Sequence, residues 1–127
     1  MVVQVTRLPL GEAVRLDPDR LGALYRQLGA TAAEDVVCRG VEDLALRLSQ
    51  TEEHWHRQDW AGLRKGVRSV IAIADQVGMT ALARVAGDVT RAIDANDAVA
   101  TAATLARLLR VGERSLTAVW DLQDLSI

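Results

Sequence analysis

Residues 59–78 read DWAGLRKGVRSVIAIADQVG, and they contain the complete pattern of one helix. Its apolar residues recur at intervals of three and four, which is the spacing of one face of an α-helix. Asp59 offers a side-chain oxygen to cap the start, and Gly78 is typical of a helix end. The stretch therefore predicts an amphipathic helix with a defined start and a defined end. Its inward-facing residues are Leu63, Val67, Val70, Ile71 and Ala74.

Two helices are predicted before this one. Asp17 and Pro18 form a favourable helix start, and Gly29 ends this short helix. Residues 31–34, TAAE, match a capping box, so a long second helix is expected from there to about His56. The short helix is lid-like, with an apolar side of Leu21, Leu24, Tyr25 and Leu28. The apolar stripe of the long helix is Val37, Val41, Leu44, Leu48 and Trp55.

Two more helices are predicted after residue 78. The fourth opens at Met79 or Thr80 and ends at the turn-prone pair Asn96 and Asp97. Asp97 then begins the last helix. The inner face of the fourth helix is Leu82, Val85, Ala86, Val89 and Ile93. The stripe of the last helix is Ala102, Leu105, Ala106, Leu109, Leu116 and Trp120.

The predicted fold class is all-α. Short connections between long amphipathic helices make sequence neighbours antiparallel. The expected architecture is an antiparallel up-down-up-down four-helix bundle with a short additional N-terminal helix. Residues 1–16, interrupted by Pro9 and Gly11, are predicted to form an N-terminal arm, and residues 17–127 the bundle domain.

Composition narrows the possible classes of function. The 127 residues include 15 Lys and Arg and 17 Asp and Glu, and the formal net charge is -2. Without a long run of either sign, neither nucleic acid nor a membrane is expected as a partner. No apolar run reaches membrane-spanning length, and the N-terminus lacks a signal-peptide pattern. The single cysteine, Cys38, cannot form an internal disulfide and is interpreted as a small core or boundary residue. A cytoplasmic protein is therefore predicted.

The two histidines, His54 and His56, lie in the segment TEEHWHRQD at residues 51–59. Histidines two residues apart on a helix point about 200° away from each other, so they cannot bind the same ion. The sequence shows no glycine-rich phosphate loop, no hydrolase nucleophile motif and no metalloprotease motif. We therefore expect no metal, no cofactor and no enzyme activity.

Three segments together resemble a known family. They are LDPDRLGALYRQLG at residues 16–29, VVCRGVEDLALRLSQ at residues 36–50, and DWAGLRKGVRSVIAIADQVGMTALARVAGDV at residues 59–89. Residues 16–116 are similar to a histidine-containing phosphotransfer (HPt) domain, the module that passes phosphoryl groups between receiver domains in bacterial phosphorelays. The resemblance implies a helical bundle and a place in two-component signal transduction.

The resemblance also shows where this chain departs from the family pattern, HxLKGxxxxxG. With Gly78 as the last glycine of that pattern, Arg68 occupies the position of the phosphoacceptor histidine. Val70 keeps the apolar character of the leucine position, whereas Ile71 and Ala72 replace the lysine and the glycine. A guanidinium is permanently protonated and has no lone pair to attack phosphorus. The resemblance therefore implies a degenerate member that keeps the docking surface and has lost the chemistry.

The docking surface implied by the resemblance lies on the third helix. Its partner would be a response-regulator receiver domain or a histidine kinase domain. Arg68 would hydrogen-bond, as a cation, in the acidic pocket around a receiver's aspartate. The corresponding residues are Arg64, Lys65, Arg68, Ala72 and Asp75.

Two alternatives remain open. A structural or homo-oligomeric helical module, such as a homodimer, would have no phosphorelay partner. Exposed side chains among Trp55, Trp60 and Trp120 would mark its interface. A phosphotransfer protein would instead use an unorthodox histidine, His56 or His54.

Overall fold

The computed structural model describes residues 17–125, with side chains described up to residue 119. Five helices occupy this range and no strand occurs in it, so the predicted all-α class is confirmed. The predicted arm, residues 1–16, and the side chain of Trp120 lie outside the described residues. The helices are α1 (Pro18–Leu28), α2 (Ala30–His56), α3 (Trp60–Gln76), α4 (Thr80–Asp94) and α5 (Ala98–Leu125).

Aspartates cap three of the helices, as the sequence predicts. The Asp17 carboxylate accepts hydrogen bonds from two backbone N–H groups of α1, at 3.0 and 3.3 Å. The Asp59 carboxylate accepts one from the N–H of Gly62 at 2.9 Å. The Asp97 carboxylate accepts one from the N–H of Ala100 at 3.0 Å. These bonds satisfy N–H groups that have no partner within the helix.

The start of α2 has no side-chain cap, so the predicted capping box at residues 31–34 is wrong. Gly29 ends α1 and also precedes α2, with φ of 83° and ψ of 163°. Its N–H donates to the carbonyl of Tyr25 at 2.8 Å, and its own carbonyl accepts from Ala33 at 3.0 Å. One glycine thus joins the two helices in a backbone conformation that favours glycine, and Thr31 already lies inside α2.

The turns that join α2 to α3, α3 to α4 and α4 to α5 share one geometry. Each contains three residues, and the middle one has a left-handed backbone. The third residue of each turn donates its N–H to a carbonyl in the last turn of the preceding helix, at 2.8 to 3.1 Å. These bonds end each helix abruptly, so the next helix begins close to that end. The middle residues are Gln58 (φ 57°), Gly78 (φ 81°) and Asn96 (φ 55°).

The core is formed by α2, α3, α4 and α5. Most of the predicted inward residues of α2, α3 and α4 are buried there, with Val37, Trp55, Ile71 and Ile93 partly buried at its edge. The polar side chain of Thr51 is also buried, and its hydroxyl donates to the carbonyl of Leu48 at 2.7 Å. The largest fully buried side chains are Leu44, Leu63, Met79, Leu82 and Leu108.

The predicted inner face of α5 is wrong at Ala106, which is exposed. Leu108 and Val111 are buried instead, at 0% and 2% exposure. The face also includes Thr101 and Ser115, whose hydroxyls each donate to the carbonyl four residues earlier at 2.7 Å. These hydroxyls can be buried because the helix backbone satisfies them. Apolar residues occur on nearly every side of α5, so apolar spacing alone does not fix which side faces inward.

Helix α1 buries none of its residues. Tyr25 and Leu28 on its apolar side are 38% and 43% exposed. Polar contacts attach this helix beside the α3–α4 turn. The backbone N–H of Asp17 donates to the carbonyl of Gly78 at 2.7 Å. The Nε of Arg20 donates to the backbone carbonyl of Asp75 at 2.9 Å. The predicted lid is therefore a loosely packed element beside that turn.

Each helix contacts the next along the chain, and α2 also contacts α5. The α2–α5 contact is close at Gly112, where an added Cβ would lie 2.6 Å from Leu48 Cδ1. Cys38 on α2 is exposed, so its interpretation as a core or boundary residue is wrong. None of the described helices has the length and hydropathy needed to cross a bilayer.

Candidate functional site

Four of the five predicted docking residues line one concavity on the outer side of α3. Arg64, Lys65, Arg68 and Ala72 border it together with Ala61 and Ser69, and it is shallow and open to solvent. We call this concavity the α3 groove. No acidic side chain is among the described residues that line it.

The groove follows from the helical spacing of α3. Residues 61, 65, 68 and 72 are separated by four, three and four positions and therefore share one face. The buried residues of α3 lie on the opposite side of the helix. Ala61 and Ala72 mark the ends of the stripe, and their small side chains leave the cationic groups between them accessible.

Arg64 is held in place by an ion pair with α4. Its Nε and Nη2 donate to the two carboxylate oxygens of Asp94, at 2.7 and 3.0 Å. These hydrogen bonds hold the pKa of Asp94 below its ordinary value and raise that of Arg64. The charge of Arg68 lowers the pKa of Asp94 further. Arg64 therefore joins α3 to α4 as well as lining the groove.

Lys65 and Arg68 differ from Arg64 because neither forms an ion pair with a carboxylate of the described residues. Both side chains are exposed. The backbone carbonyl of Lys65 accepts a hydrogen bond from the Ser69 hydroxyl at 3.2 Å, and this bond does not involve the Lys65 ammonium. Within the described part of the chain, the two cations are thus available to an external anion.

The fifth predicted docking residue, Asp75, does not line the groove. It is exposed near the C-terminal end of α3, and its backbone carbonyl accepts the hydrogen bond from Arg20 of α1. Asp75 therefore lies next to the attachment of α1, beyond the end of the α3 groove.

The two histidines have separate environments at the other end of α3. His54 Nδ1 lies 3.1 Å from Asp59 Oδ2, while Asp59 Oδ1 accepts from Gly62. His56 is exposed and borders a different, smaller pocket that includes Glu52. Among the described residues, no three His, Cys, Asp or Glu side chains are grouped closely enough to hold a metal ion.

Asp59 joins the cap of α3 to the end of α2, and its protonation is expected to weaken this turn. The Gly62 hydrogen bond is the main cause that lowers the pKa of Asp59; the charges of His54 and Arg57 add to it, and desolvation opposes it. A lowered pKa means that the contribution to stability is complete above the ordinary value and is lost as the pH falls through the folded-state pKa.

We therefore expect Asp59→Asn to lose less stability than the intact protein as the pH falls below about 4, because asparagine keeps a cap acceptor and does not titrate. Denaturant unfolding at each pH measures the difference. Asp35→Asn, at an exposed position of α2, is the control and should follow the intact protein. An Asp59→Asn profile that parallels the intact protein would contradict the role of this carboxylate.

A tryptophan pair lies at the same end of the molecule, and sequence reasoning left its placement open. The rings of Trp55 and Trp60 are 5.5 Å apart, centre to centre, at 82°. Trp55 is half-buried and Trp60 is 43% exposed. Trp60 borders a second pocket of about 300 Å³ with Ile93, Asn96, Asp97, Ala98 and Thr101. Helical spacing places Trp60 in phase with the buried Leu63 and Val67, so no signal in the sequence indicated its exposure.

Comparison of the chain with protein-family models, with curated proteins and with solved structures finds no match.

Proposed function

We propose that this protein is an HPt-like up-down-up-down helical bundle that binds a receiver domain or a histidine kinase domain and transfers no phosphate itself. The proposal rests on one observation: Lys65 and Arg68 lie side by side in the α3 groove, and none of the described residues that line it is acidic. Arg68 occupies the position at which the family's phosphoacceptor is expected. The three-residue turns and the α2–α5 contact are compatible with the bundle part of the proposal.

The groove suits binding better than chemistry. The Arg68 guanidinium donates hydrogen bonds in a planar fork and has no lone pair, so it can hold an acidic group but cannot accept a phosphoryl group. A receiver domain presents acidic side chains around its aspartate, which makes its charge complementary to the groove. Such a pairing mainly increases the association rate and specificity, and it weakens as salt is added. The proposed place of action is the bacterial cytoplasm, where these partners lie.

Reversal of the charge at Arg68 is expected to abolish partner binding. The intact protein, immobilised and exposed to a lysate of the source organism, should retain a receiver or kinase domain identifiable by mass spectrometry. Arg68→Glu should reduce its recovery at least about tenfold, because an attractive contact is replaced by a repulsive one. Arg110→Glu makes the same change of charge at an exposed site on α5, and recovery should stay near that of the intact protein.

Two results would count against this proposal. Retention of the same domain by Arg68→Glu would place the docking surface elsewhere. Retention of no receiver or kinase domain by the intact protein would leave only a fold likeness.

A homo-oligomeric module is the second candidate, and two exposed large apolar side chains favour it. Trp60 is 43% exposed and Val99, at the start of α5, is 80% exposed. Exposed aromatic and aliphatic groups of this kind are typical of interfaces between protein chains. Light scattering across a range of concentrations distinguishes the candidates, because a self-association surface gives a molecular mass that rises with concentration.

A further inference from the structure

The charges around the α3 groove do not balance. Arg64, Lys65 and Arg68 supply three positive charges, and Asp94, paired with Arg64, supplies one negative charge. Two positive charges therefore remain within the described part of the chain. They belong to Lys65 and Arg68, neither of which has an ion-pair partner among the described residues.

The spacing of these cations is unfavourable for the isolated helix. Arg68 follows Lys65 by three positions and Arg64 by four, so all three groups lie near one another on the helix surface. Like charges at these spacings destabilise a helix slightly. An anion held between Lys65 and Arg68 would relieve the repulsion, and a group with two negative charges would match the excess.

A phosphoryl group has this charge and the required acceptors. Near neutral pH it carries about two negative charges and offers three oxygens to hydrogen-bond donors. The Arg68 fork could engage two oxygens while the Lys65 ammonium approaches the third as a point charge. Ala61 and Ala72, at the ends of the stripe, leave room for a loop that presents such a group.

We infer that the α3 groove reads the phosphorylation state of its partner, binding a receiver domain more tightly when its aspartate is phosphorylated than when it is not. This inference rests on the proposed function. The phosphoryl group stays on the partner throughout: no bond forms or breaks, and Arg68 serves only as a hydrogen-bond donor. The chain would then sequester the activated form of a receiver.

The test uses purified receiver domains of the source organism, each with and without prior treatment with acetyl phosphate and Mg²⁺. Calorimetric titrations compare the intact protein with Arg68→Gln and with Arg110→Gln, the control on α5. For a receiver that binds, we expect the phosphorylated form to bind at least about tenfold more tightly to the intact protein and to Arg110→Gln. In Arg68→Gln the ratio of the two affinities should fall close to one.

The outcomes separate the inference from the proposed function. Equal affinity of the intact protein for both forms would overturn the inference and leave the proposed function standing. Failure of every receiver and kinase domain to bind in either form would overturn both. An undiminished ratio in Arg68→Gln would place the recognition outside the groove and overturn the inference. Saturable binding of inorganic phosphate alone at micromolar concentration would also overturn it, because the groove would then be a site for a free anion.

Discussion

Truncation of Leu63 to alanine is expected to lower the free energy of unfolding by about 3 kcal/mol. Leu63 is completely buried on the inner face of α3 and belongs to the core shared by α2, α3, α4 and α5. Its removal takes away apolar burial and leaves a cavity that the surrounding helices can fill only in part. Denaturant unfolding followed by far-ultraviolet circular dichroism measures the change, and the slope of the transition should stay constant.

Leu46→Ala is the matched control for this prediction. Leu46 is also a helical leucine, on α2, but it is 55% exposed, so its truncation should change stability by less than about 0.5 kcal/mol. Similar losses in both variants would contradict the burial of α3's inner face. The comparison also bears on the proposed function, because Leu63 and Arg68 occupy opposite sides of α3: an outer-face variant such as Arg68→Glu should keep its stability.

The helix boundaries were predictable because local chemistry sets them. An aspartate oxygen can satisfy the free N–H groups of the turn that follows it, as Asp17, Asp59 and Asp97 do. Gly78 and Asn96 adopt the left-handed backbone that ends a helix, which glycine and asparagine tolerate best. Each of these features depends on only a few neighbouring residues, so sequence is sufficient.

The errors arose where local signals competed or where polar residues entered the core. The TAAE capping box at residues 31–34 was displaced because Gly29 already provides the break between α1 and α2. On α5, Thr101 and Ser115 face inward because their hydroxyls bond to the helix backbone. Hydrophobic periodicity assigns such residues to the surface. The apolar Leu108 and Val111 were also left off the predicted face, because α5 carries apolar residues on nearly every side.

The sequence predicted which residues of α3 face outward, but it did not predict which of the cations forms an ion pair. The phase of α3 places Lys65 and Arg68 on the outside once the buried residues are known. No sequence pattern links Arg64 to Asp94, which is 30 residues away and meets it only because α3 packs against α4. That pairing decides which cations stay available, and so the distinction between Arg64 and Arg68 required the structure.

Substitution of Gly112 by valine is expected to lower the free energy of unfolding by about 2 to 3 kcal/mol. Gly112 is buried on α5, and the first carbon of any side chain there would lie 2.6 Å from Leu48 Cδ1. Leu48 is itself only 6% exposed and cannot move into solvent without leaving the core. The added groups must therefore force Leu48 into another rotamer within the core or push α2 and α5 apart.

Gly87→Val provides the control for the loss of an interior helical glycine. At Gly87 an added Cβ would meet only the end of the flexible Arg91 side chain, at 3.5 Å or more. Since valine has a somewhat higher helix propensity than glycine, this variant should be unchanged or slightly more stable. The midpoint of thermal unfolding should therefore fall by several degrees in Gly112→Val and stay the same or rise slightly in Gly87→Val.

The double variant Gly112→Val with Leu48→Ala tests the cause directly. Leu48→Ala alone removes buried apolar contacts and should cost about 2 to 4 kcal/mol. In the double variant the valine occupies space vacated by the leucine, so the total loss should be smaller than the sum of the single losses by about 1 to 2 kcal/mol. Additive losses would mean that Gly112 and Leu48 do not meet. Additivity would also place the closest approach of α2 and α5 at other residues of the two helices.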